Sequence, residues 1–146
     1  MPIPYAEPGS IADRAYVNAV SNARNNSANQ GNTANVHTTD QSPHGVYVVP
    51  FPPNVIAMNI EVDWIARDAT TITNTTGGRT ICVAHLAGGV GVVDGFADFA
   101  KAGGASEDFA VEFAPNGAGI QVNAHVTGVS DSVFWTCVVY VYPALL

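Results

Sequence analysis

The stretch from Ala118 to Tyr142 constrains this chain more than any other. In Ala118-Gly-Ile-Gln-Val-Asn-Ala-His-Val-Thr127, apolar Ile120, Val122, Ala124 and Val126 alternate with polar Gln121, Asn123, His125 and Thr127. A period of two sends one row of side chains into a core and the other into water, which is a half-buried strand. Gly128-Val-Ser-Asp131 supplies turn residues, and Ser132 to Tyr142 returns as a second strand. The returning strand is apolar on both faces, with Val133, Trp135, Cys137, Val139 and Val141 on one and Phe134, Val138, Tyr140 and Tyr142 on the other. Such a strand is central in its sheet or lies against another subunit. Phe134, Val138, Tyr140 and Tyr142 are therefore the candidate subunit-interface residues.

The same two-residue period recurs along the chain. It is clearest in Met58 to Arg67, where Met58, Ile60, Val62, Trp64 and Ala66 face inward and Asn59, Glu61, Asp63 and Arg67 outward. Val46 to Val49 reads as a short strand ended by Pro50. Thr70 to Thr75 reads as a polar edge strand, Gly77-Gly78 as a turn, and Arg79 to Ala87 as a further strand. Gly88 to Gly95 reads as a glycine-rich bend with a short strand in it. Phe96 to Ser106 is ambiguous, because Phe96, Phe99 and Ala100 suit a helical turn that Gly103-Gly104 would end. Asp108 to Ala114 alternates again, with Phe109, Val111 and Phe113 inward, and Pro115-Asn-Gly117 is a hairpin turn. Seven or eight strands at this spacing predict an all-β fold, an antiparallel β-sandwich or jelly roll over 45–146.

The first 44 residues read differently. Pro2, Pro4 and Pro8 make the start an extended tail. Ser10 is a helix N-cap with Asp13 three residues on, and Ile11, Ala15, Ala19 and Ala23 recur at helical spacing beside Tyr16 and Val20, so a short helix is expected over about 10–24. Asn25 to Asp40 is rich in Asn, Ser, Ala, Gly and Thr, and its only large apolar residue is Val36, so 25–44 is expected to be a linker or arm. A helix beyond a linker needs somewhere to dock, which makes Pro4, Tyr5, Ile11, Tyr16 and Val20 the candidate partner-binding residues of the arm.

Charge and composition narrow the function. Only 12% of residues are charged, about half the usual share, so the surface is made largely of Thr, Asn, Ser, Gly and Ala, either as a merely neutral exterior or because neighbours cover it. Net charge is −7, and the five basic residues Arg14, Arg24, Arg67, Arg79 and Lys101 are scattered, which argues against nucleic acid as a partner. No apolar run approaches the ~20 residues that span a bilayer, and no basic-then-apolar leader opens the chain, so a soluble protein made in the cytoplasm is expected. Cys82 and Cys137 sit inside strand-like runs. Buried thiols are the expectation, with a single disulfide as the other arrangement open to them.

No chemical site is legible. His37 and His44 lie in the polar arm, His85 interrupts an apolar strand, and His125 is on an outward row. No metal-ligand spacing is present, and no cofactor is expected. Glu61 and Asp63 share one face, a half-signal for glycoside hydrolysis, though outward acids on a solvated face are ordinary. Asp94, Asp98, Glu107 and Asp108 gather around glycine-rich loops, where oxygen ligands for calcium are imaginable. Gly88-Gly-Val-Gly91 lacks the lysine and helix of a phosphate loop. No catalytic residue is assigned, and a non-enzyme is expected.

The runs Ile60 to Arg67, Gly117 to Gly128 and Val133 to Val141 resemble the small β-sandwich domains of tailed-bacteriophage virion proteins, over about 58–142. Those domains recur at the ends of tail proteins and as stand-alone decoration proteins. Their usual run is an alternating strand, a Thr-Gly turn and a closing strand with Trp, here Thr127-Gly128 and Trp135. The resemblance implies a virion structural protein. First among its forms is a capsid decoration (cement) protein, a homotrimer on the outer capsid surface whose arm grips the major capsid protein. The alternative is a tail- or head-fibre protein that presents the β domain to a host receptor or glycan, with the aromatics near Asp94–Phe99 stacking on sugar. A third reading, outside viruses, is a secreted carbohydrate-binding jelly roll, against which the missing leader argues.

Overall fold

A computed structural model describes residues 31–70, 74–104, 109–128 and 132–145. The expected helix over 10–24 and the arm residues Pro4, Tyr5, Ile11, Tyr16 and Val20 lie outside the described residues, as do Glu107, Asp108 and most of the 128–131 turn.

Eight strands form: β1 (Asn32–Thr38), β2 (His44–Pro50), β3 (Val55–Asp68), β4 (Thr75–Ala87), β5 (Val90–Gly103), β6 (Phe109–Asn116), β7 (Gly119–Val126) and β8 (Val133–Leu145). They make a five-stranded sheet in the order β1-β8-β3-β4-β5 and a three-stranded sheet in the order β2-β7-β6. All neighbours are antiparallel. The all-β antiparallel sandwich expected from the periodicity is what these residues build.

The inward rows read from the sequence are the core. Met58, Ile60, Val62, Trp64 and Ala66 of β3 and Val133, Trp135, Cys137 and Val139 of β8 face Ile120, Val122, Ala124 and Val126 of β7 and Phe109, Val111 and Phe113 of β6. At its centre Phe109 meets the edge of Trp135 with ring centroids 5.7 Å apart at 82°, a geometry worth about 1 kcal/mol beyond the area it buries. Each indole also finds a buried threonine, Trp64 Nε1–H donating to Thr80 Oγ1 and Trp135 Nε1–H to Thr38 Oγ1.

Four expectations are corrected. β7 and β8 are not a hairpin. They lie in opposite sheets, and β8 is central in its own, between β1 and β3, so each lays an inward row on the core from its own side. Second, the expected linker contains a strand. Ala34, Val36 and Thr38 alternate inward against β8, with Val36 opposite Trp135 and Thr38 opposite Val133. That row is short and partly polar, which is why composition hid it, and the compact unit begins at Gly31.

Third, Gly77-Gly78 is not a turn but the interior of β4. A Cβ on Gly78 would stand 2.8 Å from the Ala100 carbonyl oxygen and 3.0 Å from the Trp64 ring, so glycine is there to let the indole lie flat on the strand. The chain turns instead at Gly88-Gly89, both at positive φ (59° and 81°), as a two-residue hairpin loop requires. Fourth, 96–103 is strand, not helix. Opposite β4, Arg79 pairs Ala100 while Thr80 pairs Asp98, and Val83 pairs Gly95 while Ala84 pairs Val93. Phe99 and Asp94 are thus the extra residues of two β-bulges, and each bulge shifts the period that a sequence pattern is read by.

Candidate functional site

The three-stranded sheet covers one face of the five-stranded sheet; the other face carries the candidate site. Its side chains come in rows fixed by strand register. At one end His37 (β1), Phe134 (β8) and Arg67 (β3) stand side by side. The next row is Asn35, Thr136 and Ile65, and the next Thr33, Val138 and Asp63, with Arg79 of β4 opposite Asp63. Beyond these come Tyr140 beside Glu61, then Tyr142 beside Asn59 and Val83. All four candidate interface residues, Phe134, Val138, Tyr140 and Tyr142, share this face. Phe134, Ile65 and Val83 each expose nearly half of their surface on it.

The first row builds a concavity. A shallow groove of about 400 Å³ is lined by Asn35, Val36, His37, Arg67, Phe134, Trp135 and Thr136. The His37 and Phe134 rings stack with centroids 4.2 Å apart and planes at 15°. His37 Nε2 is held by Ser132 Oγ at 2.7 Å, and Thr136 Oγ1 donates to Asn35 Oδ1 at 2.7 Å. An exposed aromatic ring stacked on an imidazole and bordered by hydroxyl, amide and guanidinium groups suits a ligand with apolar ring faces and polar edges. His37 and Ser132 also have the spacing of a base and a nucleophile, but no carboxylate orients the imidazole among the described residues.

Electrostatics divide the face. Arg79 grips Asp63 with two bonds, Nε to Oδ1 at 2.6 Å and Nη2 to Oδ2 at 2.9 Å. The Asp63 carboxylate accordingly raises the Arg79 pKa. Burial, then the charge of Glu61, pushes the Tyr142 hydroxyl up. Arg67 has no ion-pair partner among the described residues. Its neighbour Asp68 points the other way, buried, and accepts from Thr70.

The remaining titratable groups that the sequence singled out do not converge. His85 Nδ1 pairs with Asp94 Oδ2 at 2.8 Å, His125 Nδ1 with Glu112 Oε1 at 2.8 Å, and His44 Nε2 with Asp40 Oδ1 at 2.7 Å. The His44 hydrogen bond and the Ser42 backbone N–H hold the Asp40 carboxyl below its ordinary value. Asp98 accepts from Thr80 Oγ1, so Asp94 and Asp98 have separate partners. Among the described residues no three His, Cys, Asp or Glu side chains are placed to hold a metal ion. The aromatics near Asp94–Phe99 lie on a strand and form no shared platform. Phe96 turns toward Phe113, 5.5 Å away, and Phe99 stands out on its bulge. Arg67 was legible as an outward residue of its strand and His37 only as an arm histidine, and their meeting was not legible, because nothing in the sequence states that β1 and β3 flank β8.

No protein-family model matches the chain, and no curated protein matches it. Among solved structures, the tailspike protein of Acinetobacter phage vB_ApiP_P1 is similar over 99% of this chain and 25% of its own, at 13% identity and a TM-score of 0.47. The tailspike of Acinetobacter baumannii phage AM24 is similar over 79% of this chain and 26% of its own, at 8% identity and a TM-score of 0.38. A third, from Acinetobacter baumannii bacteriophage Fri1, is similar over 78% of this chain and 19% of its own, at 11% identity and a TM-score of 0.41; it is described as a capsular polysaccharide depolymerase. The chain spans about a quarter or less of the length of these proteins, and at such identities the likeness is one of fold. One of these proteins is described as an enzyme, so the expectation of a non-enzyme does not stand.

Proposed function

We propose that this chain is a β-sandwich module of a bacteriophage virion protein of the fibre or spike kind, and that it binds host-surface polysaccharide through the exposed face of its five-stranded sheet. The observation that carries the reading is the groove of the first row. Phe134 is nearly half exposed and stacked on His37, with Arg67, Asn35 and Thr136 around it. Sugar rings offer C–H faces to an aromatic plane and hydroxyls to planar donors and acceptors. The resemblance over 58–142 to virion β-sandwich domains supports the virion setting.

The test is binding of the full chain to immobilised capsular polysaccharides, with Phe134→Ala as the control. Saturable binding that the substitution abolishes is expected. The capsid-decoration form, a homotrimer over junctions of the major capsid protein, predicts a different result. No polysaccharide would bind, and the chain would co-sediment with empty capsids at a fixed ratio that is lost when residues 1–44 are removed. That pair of results would overturn the glycan reading.

A further inference from the structure

We propose that the His37–Phe134–Arg67 groove is a subsite for an anionic sugar, a uronic-acid residue whose ring lies against Phe134 and whose carboxylate meets the Arg67 guanidinium; this rests on the glycan-binding reading above.

The register sets the geometry. His37 and Arg67 both lie directly opposite Phe134, on the strands to either side of β8. Three adjacent strands put the outer two residues of such a row about 10 Å apart at the backbone. Phe134 stacks on His37 on one side and is neighboured by Arg67 on the other, so a pyranose ring can lie against the exposed part of Phe134 with the guanidinium beside it. Asn35 and Thr136 close the row behind, line the groove and bond each other.

Charge chooses the ligand class. The chain carries −7 overall, and among the described residues Arg67 has no ion-pair partner. The nearest acid on the same face of β3 is Asp63, four residues or about 13 Å along the strand, and both of its oxygens are taken by Arg79. Asp68 is turned into the sandwich. Among the described residues nothing occupies the planar fork of donors of Arg67, and such a fork binds a carboxylate through two parallel hydrogen bonds. A neutral sugar would use Phe134 and leave that charge unmatched. Two further concavities among the described residues are different in kind. One is lined by Ile81, Val83, Gly95 and Ala97 with Asp94 and Phe96, the other by Asn59, Val83 and Tyr142 with small and apolar neighbours. Neither holds a basic group, so the anionic preference is local to the first row.

The experiment is a calorimetric titration of the full chain with oligogalacturonide and with the same oligosaccharide methyl-esterified, which removes charge and keeps the ring. A set of acidic and neutral bacterial capsular oligosaccharides is run beside them, with a neutral sugar phosphate as a further arm. The expected result is binding of at least one carboxylate-bearing sugar, at least tenfold weaker for its ester. Arg67→Gln should show the same tenfold loss and Arg67→Lys a smaller one, while Phe134→Ala should lose both acid and ester forms. Affinity for the acid should fall as salt rises, as an exposed ion pair requires. Equal binding of acid and ester, an unaffected Arg67→Gln variant, binding of neutral sugars alone, or preference for the phosphate would each overturn the uronic-acid subsite and leave the glycan reading standing. Failure of every saccharide would overturn both. Arg67 is exposed, so its variants should keep the wild-type circular dichroism spectrum, which separates lost contact from lost fold.

Discussion

Trp64 Nε1–H donates to Thr80 Oγ1 at 3.1 Å, and the same hydroxyl donates onward to Asp98 Oδ1 at 2.8 Å. Trp64 and Thr80 are both buried, so this chain of bonds is how a large indole enters the core without an unmet donor. Thr80→Val keeps the shape and removes the acceptor, and it is expected to cost about 1–3 kcal/mol, the cost of an unsatisfied buried group. Asp98→Asn leaves an acceptor for the hydroxyl and should cost under about 1 kcal/mol. Urea unfolding followed by tryptophan fluorescence measures both. Equal losses for the two would show that the indole does not depend on the threonine.

The glycine beneath the same indole gives a second contrast. A Cβ at Gly78 meets the Ala100 carbonyl oxygen at 2.8 Å and two Trp64 ring atoms at 3.0 and 3.1 Å, and neither partner is a flexible side-chain end. Gly78→Ala should therefore destabilise by about 1–3 kcal/mol, the usual cost of forcing atoms into a packed site. At Gly77 the nearest atom is the Trp64 carbonyl oxygen at 3.3 Å, so Gly77→Ala needs only a few tenths of an ångström of adjustment. It should be near neutral, since alanine also removes the entropy cost of glycine in a strand. Thermal melts of the two variants would sink this account if Gly77→Ala were the more damaging.

Most of the sandwich was legible because its inward rows are long and strictly alternating. Met58 to Ala66 and Ile120 to Val126 announce both strand and buried face with no knowledge of the partner strand. Where legibility failed, a local rule was overridden by a neighbour. The inner row of β1 is Ala34, Val36 and Thr38, too small to register as a strand, and it forms because Trp135 and Val133 of β8 supply the surface it packs on. Gly77-Gly78 carries the signature of a turn, and only the Trp64 indole explains it within a strand. Phe99 and Asp94 break the period of β5 as bulges, and a broken period of two imitates a helix. The groove was hidden for a further reason. Arg67 and Phe134 stand 67 positions apart in the sequence, and register between strands is set by the assembled core. The doubly apolar β8 was read correctly as a strand either central or covered. It is central, and the second apolar row remains on the exposed face that carries the His37–Phe134–Arg67 groove.

The ion pair on that face should contribute little to stability. Arg79 and Asp63 make two short bonds, but their side chains are 42% and 37% exposed. Exposed pairs contribute about 0–1 kcal/mol, and salt screens them. Asp63→Asn is accordingly expected to lower stability by less than about 1 kcal/mol in dilute buffer and by still less at high salt. A loss above that, or one that persists unchanged in molar salt, would mean that the pair is covered by something in solution, as the interface role of Val138, Tyr140 and Tyr142 requires. Denaturant midpoints at two salt concentrations decide the matter.

Burial of the two thiols ties part of the fold's stability to alkaline pH. Cys82 and Cys137 are both free and buried, and burial pushes each from an ordinary 9.0 to about 12, with the Asp94 charge adding to the effect at Cys82. They do not pair within this fold. Cys82 lies opposite Ile60 and Cys137 opposite Trp64, on the two strands flanking β3. That separates them by roughly 13 Å along the strands and roughly 10 Å across them, far beyond disulfide reach. The sign of the pH effect follows from the raised values. The unfolded chain loses its thiol protons near pH 9.0, while the folded chain keeps them to about 12. The stability linked to the thiols is therefore fully present below pH 9.0 and is lost progressively as the pH climbs to about 12. Denaturant midpoints in wild type should fall over that window, and a Cys82→Ala, Cys137→Ala double variant, though less stable at neutral pH, should fall less steeply. In native buffer at about pH 8 a thiol reagent should leave both cysteines unlabelled and react with both once urea unfolds the chain, because the thiolate is the reactive form. Rapid labelling of either cysteine in the native protein would show that its strand opens to solvent.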